Sequence, residues 1–250
     1  MTSLLLDISR LFHRRLLGRV LTGIDRVSLE YVRHYGGRAR AVLGVRPFIS
    51  VLSQPESTRS FRTLLDPGAG LTGERAALIM RAYVRWWGRA DVAGSVLLNT
   101  SHTGLERAGY ALSLRRRGAR PVFFVHDLIP ITHSEYCRPG EGERHANRMR
   151  TAVTAGRGII VASRHTLATL GRFCDEAGLP LPPAVIAPLA SSLPRADAAP
   201  RPLSQPYFVV IGTIEARKNL VLLLELWRGL VEREGAQAPR LVLIGQRGYG

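Results

Sequence analysis

Short apolar runs that stop abruptly and give way to helical periodicity recur along this chain, and they constrain its fold more than any other feature. Leu4–Asp7, Val96–Leu98, Pro121–Val125, Gly158–Ala162, Ala184–Ala187 and Phe208–Ile211 are each three to five residues long. Runs of that length without polar alternation read as strands covered on both faces. Most are followed by a segment with helical spacing, as in Glu141–Ala155 and Ser163–Ala177. Alternating strand and helix predicts a parallel sheet with helices on both sides. Ala39–Arg46 and Phe48–Leu52 add strand material, and Gly104–Arg117 and Glu74–Arg89 add helices. A polar stretch runs from the second of these strands to Gly73. Trp86 and Trp87 are expected to pack rather than bind sugar.

Composition matters mainly for what it excludes. The 250 residues are 46% hydrophobic and 22% charged, which is ordinary for a folded chain and argues against disorder. No apolar run approaches the ~20 residues of a membrane span. The opening MTSLLLDISR is too short for a signal peptide, so a cytoplasmic protein is expected. Cys137 and Cys174 form no CxxC and have no paired histidines nearby, so both are expected to be reduced, and no metal site is expected. The net charge of +16 raises nucleic acid as a partner, but the arginines are scattered and the longest block is Arg115–Arg117. No interleaved stacking aromatics accompany them, so nucleic-acid binding is not expected. Ser9–Val20 alternates apolar residues with Arg10, Arg14, Arg15 and Arg19 and could lie on an anionic membrane as a peripheral contact, or simply on the protein's own core.

Three places carry chemistry. The stretch Tyr207–Leu224 reads as strand, turn and helix, with Gly212 closing the strand and Thr213, Arg217 and Lys218 in the turn. A loop entering a helix N-terminus favours an anion, above all a phosphate. Lys218 is the only lysine in the chain. Thr22-Gly23-Ile24-Asp25-Arg26 likewise places a glycine just before a helix, where a ligand can approach the backbone closely. Pro121–Val125 delivers His126 and Asp127 at its carboxyl end, the place where open α/β sheets bind ligands. A histidine there can donate to a substrate oxygen, although a lone His-Asp pair is more often structural.

The segment from Gly212 to Asn219, its Leu-rich helix, and Leu241-Val-Leu-Ile-Gly-Gln-Arg-Gly248 resemble the opening of the donor-binding domain of retaining GT-B-fold glycosyltransferases of family four, most closely the bacterial mannosyltransferase-like enzymes of polysaccharide assembly. The stretch from Val125 to Glu141 is similar to the family's histidine-bearing segment, with Ser134 where a proline is usual. The resemblance implies an α/β, GT-B-like protein. It would have a Rossmann-type N-terminal domain over 1–187, a linker over 188–206 and the beginning of a second Rossmann-type domain over 207–250, with the ligand cleft between the two. It implies transfer of a hexose, such as mannose, from a GDP- or UDP-linked sugar to a glycan or lipid-linked acceptor, with no further cofactor. It implies phosphate contacts from Gly23, Arg26, Gly212, Thr213, Arg217 and Lys218, and a sugar contact from His126 beside Asp127. Residues 207–250 read as two strands and one helix, too little for an independent α/β domain, and are expected to be an incomplete one; the family's paired glutamates have no counterpart there, since Glu225 and Glu232 are spaced differently. Ala216 stands where a proline is frequent, and Thr213 where many relatives carry arginine. A non-catalytic anion- or acceptor-binding half-domain, or a partner-dependent subunit, is the alternative expectation.

Overall fold

The computed structural model describes residues 3–45, 48–66, 92–189 and 202–249. The helix expected over Glu74–Arg89, with Trp86 and Trp87, and most of the expected linker lie outside these residues. The chain divides into two compact units, one of 1–128 and 143–189, the other of 129–142 and 190–250. The 129–142 segment thus joins the second unit, although it lies within the N-terminal domain of the linear reading. Within that unit the Arg138 guanidinium sits over the Tyr249 ring, 5.8 Å from its centroid.

The first unit is built on a seven-stranded sheet. Its strands are β1 (Leu4–Asp7), β2 (Ala39–Val45), β3 (Phe48–Val51), β4 (Val96–Asn99), β5 (Arg120–Val125), β6 (Gly158–Val161) and β7 (Ala184–Ile186), in the spatial order β3-β2-β1-β4-β5-β6-β7. All neighbours are parallel except β2 and β3, which pair antiparallel with Val42 opposite Val51. The architecture is Rossmann-like α/β. The order reverses direction between β1 and β4, and crevices at such switch points open beyond the carboxyl ends of the strands.

The helices of the first unit are α1 (Ser9–Leu16), α2 (Gly23–Tyr35), α3 (Gln54–Leu65), α4 (Ala108–Arg116), α6 (Glu141–Ala155) and α7 (Arg164–Ala177), while the short α5 (Ile129–Thr132) lies in the segment that joins the second unit. Helix α3 lies where only polar chain was expected. Its start was written in the sequence: Ser53 and Glu56 form a reciprocal capping box, with Pro55 in the first turn. Ser57 of α3 accepts the Ala41 backbone N–H of β2 at 2.9 Å, and Phe61 and Leu64 enter the core. Helix α4 begins four residues later than expected, because Gly104 takes a left-handed φ of +89° and a Cβ there would press on the Tyr110 ring at 2.8 Å. Strand residues Leu5, Leu97, Phe123 and Ile159 are fully buried between helix residues such as Leu11, Leu114, Met149 and Leu170. That burial on both faces explains the unalternated apolar runs.

The second unit contains β8 (Tyr207–Ile211), α8 (Leu220–Glu234) and β9 (Arg240–Ile244), with β8 and β9 parallel. Helix α8 packs through Trp227, whose ring meets Phe208 edge-on at 5.4 Å and whose indole N–H donates to the Pro239 carbonyl at 3.1 Å. The expectation of a buried strand at Phe208–Ile211 is not met: Phe208 is 60% and Ile211 78% exposed. Helix α8 alone cannot cover both faces of this two-stranded sheet.

Beyond Ile211 and Ile244 the ladder continues through the loops. Gly212 N–H donates to Ile244, Ile214 N–H to Gln246 and Gly248 N–H to Ile214, at 2.7–2.9 Å. A Cβ on Gly245 would overlap the Gly212 carbonyl oxygen, and one on Gly248 would stand 2.7 Å from Thr213 Cγ2. Gly245 is therefore required by the close approach of two backbones, and Gly248 sits tightly against the Thr213 and Glu215 side chains. Gly245→Ala should cost about 1–3 kcal/mol through overpacking, and hydrogen exchange should show the protection of the Gly212 and Ile214 amides lost first.

Candidate functional site

Two strands of the first unit, β1 and β4, end in polar residues at the carboxyl edge of the sheet, a third, β5, is followed by His126, and a buried network holds the first two ends in place. Asp7 closes β1, and its carboxylate accepts from Ser9 N–H at 2.9 Å, from the Ser9 hydroxyl at 2.5 Å and from the Tyr110 hydroxyl. Asn99 closes β4 and donates to the Tyr110 oxygen and to the Thr103 carbonyl, each at 3.0 Å. Burial pushes the Asp7 carboxyl above its usual range and the Tyr110 phenol well above its own, in part through the neighbouring Asp7. Every polar atom here has a partner, so this network is the frame of the site.

Upon it sit His126 and the first turn of α2. His126 Nε2 lies 2.8 Å from the Thr100 carbonyl oxygen, which requires the ring proton at Nε2 and leaves the Nδ1 lone pair as an acceptor. The Thr100 hydroxyl donates to Ser28 Oγ at 2.8 Å, and Ser28 donates to the Ile24 carbonyl at 3.1 Å. The histidine beyond β5 is thereby tied to the glycine-bearing first turn of α2, two features far apart in sequence. The Phe124 ring beneath the imidazole, 4.6 Å between centroids, adds an apolar floor. Burial lowers the His126 pKa; the hydrogen bond to Thr100 and the Asp127 and Asp25 charges oppose this, and the Arg10 charge reinforces it. Asp127 contributes through its backbone as well, since its carbonyl meets His145 Nε2 at 3.0 Å.

The mouth of α2 is more occupied than a simple anion site would be. Asp25, fully buried, accepts the Thr22 N–H and hydroxyl at 2.7 Å each and pairs with Arg10 at 2.7 Å and Arg14 at 2.9 Å. Two guanidinium charges against one carboxylate leave a surplus positive charge there. A Cβ on Gly23 would meet only open space, so folding does not demand glycine, while the backbone stays open to approach. Arg26 is exposed on the second turn. Arg10 and Arg14 thus turn away from the basic stripe suggested for Ser9–Val20; Leu11 and Phe12 enter the core, and Leu16, Leu17 and Val20 remain exposed.

Sequence reasoning missed His102. It follows β4, is 6% exposed, and is one of two non-glycine residues in the described chain with positive φ, at 60°. Its imidazole bonds the Phe124 backbone, while Nε2 is buried without a partner. It stands 5.3 Å from His126 and 5.5 Å from His145, ring to ring. Strained backbone and an unsatisfied buried atom both concentrate at functional sites. Neither property can be read from a linear sequence. The described residues contain no cluster of three or more His, Cys, Asp or Glu placed to hold a metal.

Burial holds His102 well below its usual 6.5, with the nearby His126 and His145 rings and Arg148 acting in the same direction. The unfolded chain therefore binds a proton near pH 6.5 that the folded chain refuses, so stability falls as the pH drops below that value. Asp7 acts in the opposite sense: its raised pKa favours folding below that pKa, down toward the ordinary value of 3.8. Urea unfolding between about pH 7 and 5 should show a loss that His102→Gln flattens by up to about 1.4 kcal/mol per pH unit.

In the second unit, Ala216–Lys218 form a 3-10 turn, and Asn219 in the left-handed region (φ 49°) leads into α8. Arg217 folds back on Glu215 at 2.5 Å. Lys218 pairs with no carboxylate among the described residues and helps line a pocket of about 180 Å³ with Gly212, Thr213, Ile214 and Leu220. The Gly212 amide, expected to face phosphate, is instead committed to Ile244, because the strand ladder extends one residue further than the apolar run. Among the described residues, no helix is long and apolar enough to cross a membrane. Family models, curated proteins and solved structures were all compared with the chain, and none matches.

Proposed function

We propose that this protein is a nucleotide-sugar-dependent glycosyltransferase of the GT-B type, moving a hexose to a glycan or lipid-linked acceptor with retention of configuration. The observation that carries the reading is the hydrogen-bonded link from His126 through Thr100 and Ser28 to the first turn of α2. It places a neutral imidazole acceptor and a cationic, glycine-opened helix start on the carboxyl edge of a doubly wound sheet. That edge suits a ligand with hydroxyls at one end and phosphates at the other.

In the reaction, the bond from the anomeric carbon to the diphosphate oxygen breaks, and a bond to the acceptor hydroxyl oxygen forms on the same face. The hydroxyl proton leaves with the diphosphate. His126 Nδ1 accepts from a sugar hydroxyl and orients the ring. Lys218, as the unpaired cation of its turn, offsets charge that grows on the leaving diphosphate. Arg217 contributes less, being already paired with Glu215. Gly23, Arg26 and Thr213 offer secondary phosphate contacts. The reading needs no metal, and the acceptor would be met on the cytoplasmic face of a membrane.

The test is to offer GDP- and UDP-linked hexoses with lipid-linked acceptors and to follow release of the nucleoside diphosphate. One donor class should be consumed, and His126→Ala should slow its use while leaving diphosphate binding nearly intact. Diphosphate binding without consumption of any donor would favour a non-catalytic module, and absence of both would defeat the proposal.

A further inference from the structure

At the opposite end of the sheet, the amino ends of β5 and β6 frame a second basic feature. A concave space of about 630 Å³ is lined by Arg115, Gly118, Ala119, Arg120 and Arg157. Arg115 lies in the last turn of α4, Arg120 opens β5, and Arg157 immediately precedes β6. The floor is small and close-packed: Ala119 is buried, Gly118 takes φ +72°, its carbonyl accepts from Gly94 at 2.9 Å, and a Cβ on it would stand 3.3 Å from Ala93 Cα. The three arginines are exposed around it, and Arg116 and Arg117 extend the positive rim.

These arginines are among those of the described residues that no carboxylate neutralises. Arg10, Arg14, Arg33, Arg107, Arg148, Arg217 and Arg228 all sit within ion-pair distance of a carboxylate. Around the concave space no carboxylate of the described residues pairs with any arginine, and the side-chain hydrogen bond there is from Arg115 to the Thr154 carbonyl at 3.4 Å. The negative pole of α4 accounts for basic residues in its last turn. It does not account for Arg120, at the head of a strand, or Arg157, in a turn. Guanidinium groups that line one hollow from three elements match the oxygens of phosphoryl groups, which arginine holds in paired hydrogen bonds. We infer that this hollow is a binding site for a compact polyphosphate carrying at least two phosphoryl groups, separate from the carboxyl-edge site.

The experiment is calorimetric titration of the full chain with inorganic tripolyphosphate at physiological salt. Arg120→Ala/Arg157→Ala should weaken binding by about tenfold or more, with an unchanged circular dichroism spectrum and melting point in the absence of ligand. Arg59→Ala/Arg62→Ala, which removes the same charge from exposed positions on α3, should leave affinity within twofold of the parent. An undiminished affinity in the Arg120/Arg157 variant, or an equal loss in the Arg59/Arg62 variant, overturns the inference. So does tripolyphosphate binding that is absent while phosphatidylglycerol vesicles or an oligonucleotide bind in an Arg120- and Arg157-dependent way.

Discussion

Lys218→Ala is expected to lower transfer from the nucleotide sugar by about a hundred- to a thousandfold, the usual cost of removing one preorganised group from a developing negative charge. The reason is local. Arg217 beside it is already paired with Glu215, and the Gly212 amide belongs to the strand ladder, so neither can replace the lost ammonium. Arg217→Ala should therefore cost clearly less than Lys218→Ala. Steady-state rates for both variants, with the parent's donor, check the ordering. Equal rates for parent and Lys218→Ala would remove the lysine from the mechanism, and a larger loss at Arg217 would mean that its pairing with Glu215 is exchanged for the donor.

Asp25→Ala is expected to destabilise the first unit by about 3–5 kcal/mol, because removing one partner of a buried ionic cluster leaves the others uncompensated. Asp25 is completely buried; Arg10 and Arg14, at 29% and 16% side-chain exposure, would face one another without it. The Thr22 N–H and hydroxyl would lose their acceptor in the same change. Asp25→Asn keeps an acceptor for Thr22 and loses only the charge, so it should fall between the parent and the alanine variant. Urea unfolding of the three proteins measures the series. If the two variants unfold alike, the charge carries the effect and the helix cap adds little.

Much of the framework was legible in the chain because parallel strands and amphipathic helices are local patterns. Leu4–Asp7, Pro121–Val125 and Gly158–Ala162 announced themselves as strands by being apolar on both faces, and Ser163 announced α7, where its hydroxyl accepts the Thr166 N–H at 3.1 Å. Helix α3 could have been read too, from Ser53 and Glu56, but its sparse apolar residues hid it. The antiparallel turn-back of β3 onto β2 was less accessible, since a two-residue connection permits it without requiring it.

The sequence by itself determined the alternation of strand and helix, the glycines at the loop ends and the presence of His126 beyond a buried strand. Each depends on a residue's own backbone preferences or on its near neighbours. Only the tertiary structure decided that Asp25 takes up Arg10 and Arg14, that Glu215 takes up Arg217, and that His102 is buried beside His126 with one nitrogen unpartnered. It also decided that Arg115, Arg120 and Arg157 share one hollow. These outcomes turn on which charges meet after the chain has crossed the sheet. Coulombic pairing acts through space, and distance along the chain carries little information about it.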